Sequence, residues 1–136
     1  MFSYRCRTGR LIELRIASPF DLEQARALRA SALTLFQRKR GKLVSIVDLR
    51  KLDVLPPQVA DDMALNLRKA NAHIEKTGVL LPTMATVALQ IDRLHREAES
   101  AVRRAFAEPA KVREFLADVL SESEIDALDR FLAEDQ

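Results

Sequence analysis

Three features of this chain predict an α/β domain with a mixed sheet of four or five strands and four or five helices. Leu43-Val44-Ser45-Ile46-Val47-Asp48-Leu49 is a short β-branched run between Gly41 and Pro56-Pro57, and it reads as a strand buried on both faces. Helical periodicity on either side makes that strand central. Two alternating segments joined by a glycine-containing turn precede it and add a hairpin.

The elements follow in order. Phe2 to Arg7 and Ile12 to Ile16 alternate apolar and polar residues around Thr8-Gly9-Arg10. The first of these strands is expected at a sheet edge, where Arg5 and Arg7 discourage pairing with other chains. Ser18-Pro19-Phe20 breaks the strand, and Asp21 with Gln24 resembles a capping box. Leu22, Ala25, Leu28, Ala32 and Leu35 with Phe36 then share one helical face. Arg38, Lys39 and Arg40 suit the negative end of that helix, and Gly41 stops it.

Beyond the central strand, Pro57 fits the first turn of a second helix, with Asp61 and Asp62 near its positive end. Val59, Met63, Leu67, Ala70 and Ile74 form its buried stripe, and Lys76 and Gly78 end it. Val79-Leu80-Leu81 is a short strand cut off by Pro82. A third helix begins near Thr83 with Met84, Val87, Ala88, Ile91, Leu94 and Ala98 facing inward. Residues 101–106 fit either a continuation of that helix or a short edge strand. Pro109, Val112, Phe115, Leu116 and Val119 mark a fourth helix. Ser121 and Glu124 form a capping box for a last one, with Ile125, Leu128, Phe131 and Leu132 inward. Val44, Ile46, Val47, Leu80 and Leu81 are expected to be buried.

With 136 residues the chain suits one domain, its core over about 8–118 and a C-terminal helix over 121–134. A single cysteine excludes an intrachain disulfide framework, and with two scattered histidines it offers no structural zinc site. No apolar run approaches the roughly 18 residues of a membrane span, and no leader pattern is present. The expectation is a cytoplasmic protein of bacterial type with no cofactor and no membrane anchor.

Charge is unevenly divided. Residues 1–50 carry eleven Arg and Lys against four acids, whereas residues 51–136 carry eleven against sixteen. Such polarity can mark nucleic-acid contact at the basic end. The plainer reading is that the two halves meet, within one molecule or across a dimer, so nucleic acid is not the favoured partner.

The order of elements, with several short segments in register, resembles the STAS-like group, specifically bacterial relatives of the anti-sigma-factor antagonist. Gly9-Arg10-Leu11-Ile12-Glu13-Leu14 resembles the opening strand and Ser18-Pro19-Phe20-Asp21 the entry to the first helix. Leu43 to Leu49 matches the central strand with its terminal Asp-Leu. Val79-Leu80-Leu81-Pro82 and Arg103-Arg104-Ala105-Phe106 resemble later strands, and Pro109 to Leu116 the closing helix. Members that act as phosphorylation switches carry an Asp-Ser-Ser/Thr-Gly turn after the central strand, where a phosphate meets a helix N-terminus. Here Val54-Leu55-Pro56-Pro57-Gln58 stands in that place without a hydroxyl, so no phosphoserine switch is expected. The resemblance still implies a scaffold that binds a protein partner, or else a lipid or nucleotide, through the helix around residues 56–74.

The residues offer little catalytic chemistry. Cys6 lies on an alternating strand, while His73 and His95 stand in helices without a supporting pattern. Asp61 and Asp62 are adjacent on a helix and point about 100° apart, which suits dipole partners better than a paired-carboxylate site. Arg93, His95, Arg96 and Glu97 read as an exposed charged face. Two function classes remain. One is a non-enzymatic, regulatory protein-interaction module, binding a protein partner or a second copy as a homodimer. Its candidate contacts are Val54, Leu55, Gln58 and Asp62, with Arg103 and Arg104 as an anion contact. An alternative role for Val54 and Leu55 is to cap the core beneath the loop. The other class is a carrier of a small apolar ligand or lipid with a Sec14-like outline, holding its cargo between the sheet and the third and last helices.

Overall fold

The computed structural model describes residues 1–99 and 101–134. Five strands form one sheet in chain order: β1 (Phe2–Thr8), β2 (Leu11–Ile16), β3 (Leu43–Asp48), β4 (Ile74–Leu80) and β5 (Arg103–Phe106). β1 is antiparallel to β2, and the other neighbours are parallel. The helices are α1 (Leu22–Arg38), α2 (Pro57–Ala70), α3 (Ala85–Glu97), α4 (Pro109–Ala117) and α5 (Glu122–Ala133).

The sequential strand order decides where the helices lie. Each crossover from β2 to β5 steps to the next strand in the same direction, and right-handed crossovers then place α1, α2 and α3 on one face. One core cluster joins Ile16, Leu28, Met63, Val79, Val87 and Ile91 on that face. A second joins Leu11, Val44, Ile46 and Leu80 to Val112, Leu116, Leu128 and Phe131 of α4 and α5. β3 is therefore buried on both sides. Gly78 lets α4 come close to β4, since a Cβ there would stand 2.3 Å from Val112 Cγ2.

The charged halves do meet within the molecule. The Arg10 amide donates to Glu124 at 2.7 Å, and the Arg15 guanidinium pairs with Glu134 at 3.3 Å while lying 3.9 Å from the Phe131 ring centre. α5 is thereby fastened to the hairpin through opposite charge. Its capping box is complete, with the Glu124 amide donating to Ser121 Oγ and the Ser121 amide to Glu124 Oε1.

Several boundaries differ from the sequence expectation. α2 stops at Ala70, and a 3-10 turn over Asn71–His73 leads into β4 at Ile74. Ala70 and Ile74 share one core cluster, so the four-residue step continues across a backbone that has left the helix. Residues 76–80 pair with 44–48 of β3, and this ladder overrides the helical period. Residues 103–106 form the edge strand. The expected box at Asp21 is half made: its carboxylate accepts from the Gln24 amide, whereas Gln24 Oε1 is buried without a hydrogen-bond partner. Val47 and Leu81 are half-buried rather than buried: Val47 borders small voids, and Leu81 lies just past the end of β4. Met84 caps α3 from outside the helix and is 51% exposed.

Candidate functional site

Asp48 ends the central strand and is nearly enclosed. It accepts from Arg15 at 3.0 Å, from the Arg50 amide at 3.0 Å and from the Arg50 guanidinium at 2.9 and 3.0 Å. Burial alone would raise its pKa; the Arg50 hydrogen bonds and the Arg50 and Arg15 charges outweigh that and hold the carboxyl below its usual range. Its acceptor capacity is spent on anchoring the strand end.

The segment that follows is held on several sides. Leu49, Leu52 and Leu55 insert into the core. The Leu55 amide donates to Gln90 Oε1 at 2.8 Å, and Gln90 Nε2 donates back to the Leu55 carbonyl at 2.9 Å. The Asp53 amide donates to Ser18 Oγ at 2.8 Å, and the Val54 amide to Asp53 Oδ1 at 2.7 Å. Pro56 caps α2, and Pro57 occupies its first turn. Of the four expected partner contacts, two are turned inward: Leu55, at 5% exposure, takes the alternative role of capping the core, and Asp62 is tied up within the fold. Val54 is 53% exposed. Gln58 is exposed, while Asp62 is mostly buried and paired with Arg29.

Arg103 and Arg104 do not form one anion site, because neighbouring strand residues point to opposite faces. Arg103 faces α2, where its guanidinium donates to Asn71 Oδ1 and to the Leu67 carbonyl at 3.2 Å; burial pushes its pKa down to about 10. Arg104 faces α4 and lies 5.3 Å from the Phe115 ring centre, with Lys76 at 4.2 Å from the same ring. Strand alternation in the sequence already carried this signal. His95, expected on an exposed face, sits beside Arg103 against a void; burial and then the Arg103 charge push its pKa down to about 4. Cys6 is half-buried, and burial raises its thiol pKa, which disfavours the nucleophilic form.

The expected pocket between the sheet and both α3 and α5 does not form, since those helices lie on opposite faces. Two voids of about 60 Å³ each lie instead on the α1–α3 side, sharing Leu14, Val47, Met63, Leu67, Thr77 and Arg103. Ligand pockets run to about 300–1,000 Å³.

A larger concavity of about 460 Å³ opens between α1 and α2. Arg26, Arg29, Leu33 and Phe36 come from α1, and Asn66 and Lys69 from α2, with His73 at the end of the following 3-10 turn. Phe36 and His73 stack with ring centres 4.4 Å apart. Each helix contributes residues at steps of three and four, the spacing of one helical face. That spacing was readable in each helix, but the sequence does not say that the two faces meet.

Among the described residues no helix is long and apolar enough to cross a membrane, and no group of three His, Cys, Asp or Glu side chains is placed to hold a metal ion. No protein-family model matches the chain, and no curated protein matches it either.

Proposed function

We propose that the chain is a non-enzymatic regulatory protein-interaction module of STAS-like type without a phosphoserine switch, acting in the cytoplasm. Val54 is the observation that carries this reading. An exposed apolar side chain stands between the buried Leu52 and Leu55 on a segment whose backbone is pinned by Gln90 and Ser18, and which two prolines stiffen. Such a segment loses little conformational freedom when a partner covers it. Gln58, exposed at the start of α2, extends the same contact onto that helix. The partner is another protein or a second copy. The carrier alternative draws only on the two small voids.

The test compares the wild type with Val54→Asp by sedimentation velocity and by affinity capture from extract of the native host. Val54 is exposed, so its replacement changes stability by about 0.5 kcal/mol or less. The expected result is a complex of the wild type that Val54→Asp loses while its unfolding midpoint stays put. Absence of any wild-type complex, or full retention by the variant, would refute the reading.

A further inference from the structure

We infer that the groove between α1 and α2 is a docking site for an acidic amphipathic helix of a partner protein. This rests on the reading of the chain as an interaction module and gives that module a second, chemically defined surface.

The groove joins an apolar floor to a basic rim. Ala30, Ala32 and Ala70 keep the floor low, which admits a backbone element as bulky as a helix. Leu33, 58% exposed, and the half-buried Phe36 supply apolar contact along one wall. Arg26 and Lys69 stand on opposite walls, and among the described residues neither makes an ion pair. Arg29 is already tied to Asp62, so the cationic capacity left for a ligand lies mainly at Arg26 and Lys69. From Arg26 to Phe36 the wall runs about 15 Å, the length of roughly ten helical residues at 1.5 Å each.

These features select the occupant. Two facing helices with residues at steps of three and four suit a third helix that inserts apolar anchors at the same spacing. The basic rim requires acids beside those anchors. Nucleic acid binding draws on aromatic faces open to bases, whereas Phe36 and His73 are stacked on each other. The molecule already uses the proposed chemistry once. α5 is an acidic amphipathic helix whose Glu124 accepts from the Arg10 backbone amide of the hairpin and whose C-cap residue Glu134 pairs with Arg15.

The test is selection of randomised 14-residue peptides of helical bias against the immobilised full chain, followed by fluorescence polarisation of the enriched peptides. Enriched peptides are expected to carry Asp or Glu beside Leu or Phe at steps of three and four. Their affinity should fall at least tenfold with Arg26→Glu/Lys69→Glu or with Leu33→Asp, and stay unchanged with Val54→Asp. Circular dichroism and the unfolding midpoint verify that each variant is folded. Enrichment of neutral or basic peptides, or acidic peptides indifferent to the groove substitutions, would overturn the inference. So would a single-stranded oligonucleotide or phosphatidylserine vesicles binding in place of peptide and showing the same sensitivity. Peptides lost only with Val54→Asp would keep the module and remove the groove from it; failure to enrich any peptide would count against both.

Discussion

Replacing Gly9 by alanine strikes the backbone and the α5 cap at once. Gly9 has φ of +56°, in the left-handed region, and its missing Cβ leaves room for the Glu124 carboxylate. An alanine Cβ would stand 2.3 Å from Glu124 Oε2. The carboxylate is not free to swing aside: Oε2 accepts from the Arg10 amide at 2.7 Å and Oε1 from the Ser121 amide at 2.8 Å. The left-handed conformation costs a non-glycine residue about 1 kcal/mol. Displacing a charge-assisted hydrogen bond adds about 2 kcal/mol. The expected loss is about 3 kcal/mol, or roughly 10 °C in Tm for a domain of this size. Urea unfolding of the double-mutant cycle with Glu124→Ala measures the coupling. In the Glu124→Ala background Gly9→Ala should cost only the backbone part, about 1 kcal/mol. Equal costs in both backgrounds would refute the account. Acid should shrink the effect. Burial acts to raise the Glu124 pKa, but the Ser121 and Arg10 amides outweigh it and the net shift is downward. The Glu124 contribution is therefore present above its unfolded value, about 4.3, and fades as pH falls through the folded one.

Two further outcomes follow from buried positions. Gly78→Ala should destabilise by about 1–3 kcal/mol through overpacking against Val112 and Leu116, and Val112→Ala should recover much of the loss in a denaturant titration; a loss that Val112→Ala leaves unrecovered would show that the contact with Val112 is not its cause. His95, pushed down to about 4, should keep flat ring NMR shifts from about pH 8 to 5, and a midpoint near the ordinary 6.5 would refute its burial. Because the unfolded imidazole takes up its proton first, His95 should make stability fall as pH drops from about 6.5 toward 4, and His95→Phe should flatten that slope.

Much of the architecture was legible because local and tertiary preferences agree. The β-branched run at Leu43 is central, Pro57 opens α2, and Ser121 with Glu124 caps α5. Legibility failed where one pattern served two backbones. Ile74 continues the stripe of α2 while already paired in β4. Glu13 and Arg15 look like the solvent side of an alternating strand, yet Glu13 is buried against Arg7 and Arg15 lies under α5. At the candidate contact, Val54 and Leu55 are both apolar and adjacent; the contacts that set Leu55 inward, with Gln90 of α3 on its backbone, come from residues far away in sequence. The α1–α2 groove was hidden for a simpler reason, since no sequence pattern pairs residues 26–36 with residues 66–73.

The strand order has a consequence for how the chain assembles. Each parallel strand joins the edge left by the one before it, so the sheet can grow in the direction of synthesis with only neighbouring segments to bring together. The helices that cover the opposite face of the hairpin break this rule. α5 returns across more than a hundred residues to lie on β1 and β2, with Glu124 on the Arg10 amide and Arg15 against Phe131. The first apolar surface the chain makes is thus the last it covers. Until α5 arrives, Leu11 and the inward charges of the hairpin face water, and a growing chain shields that surface by some other means or leaves it open.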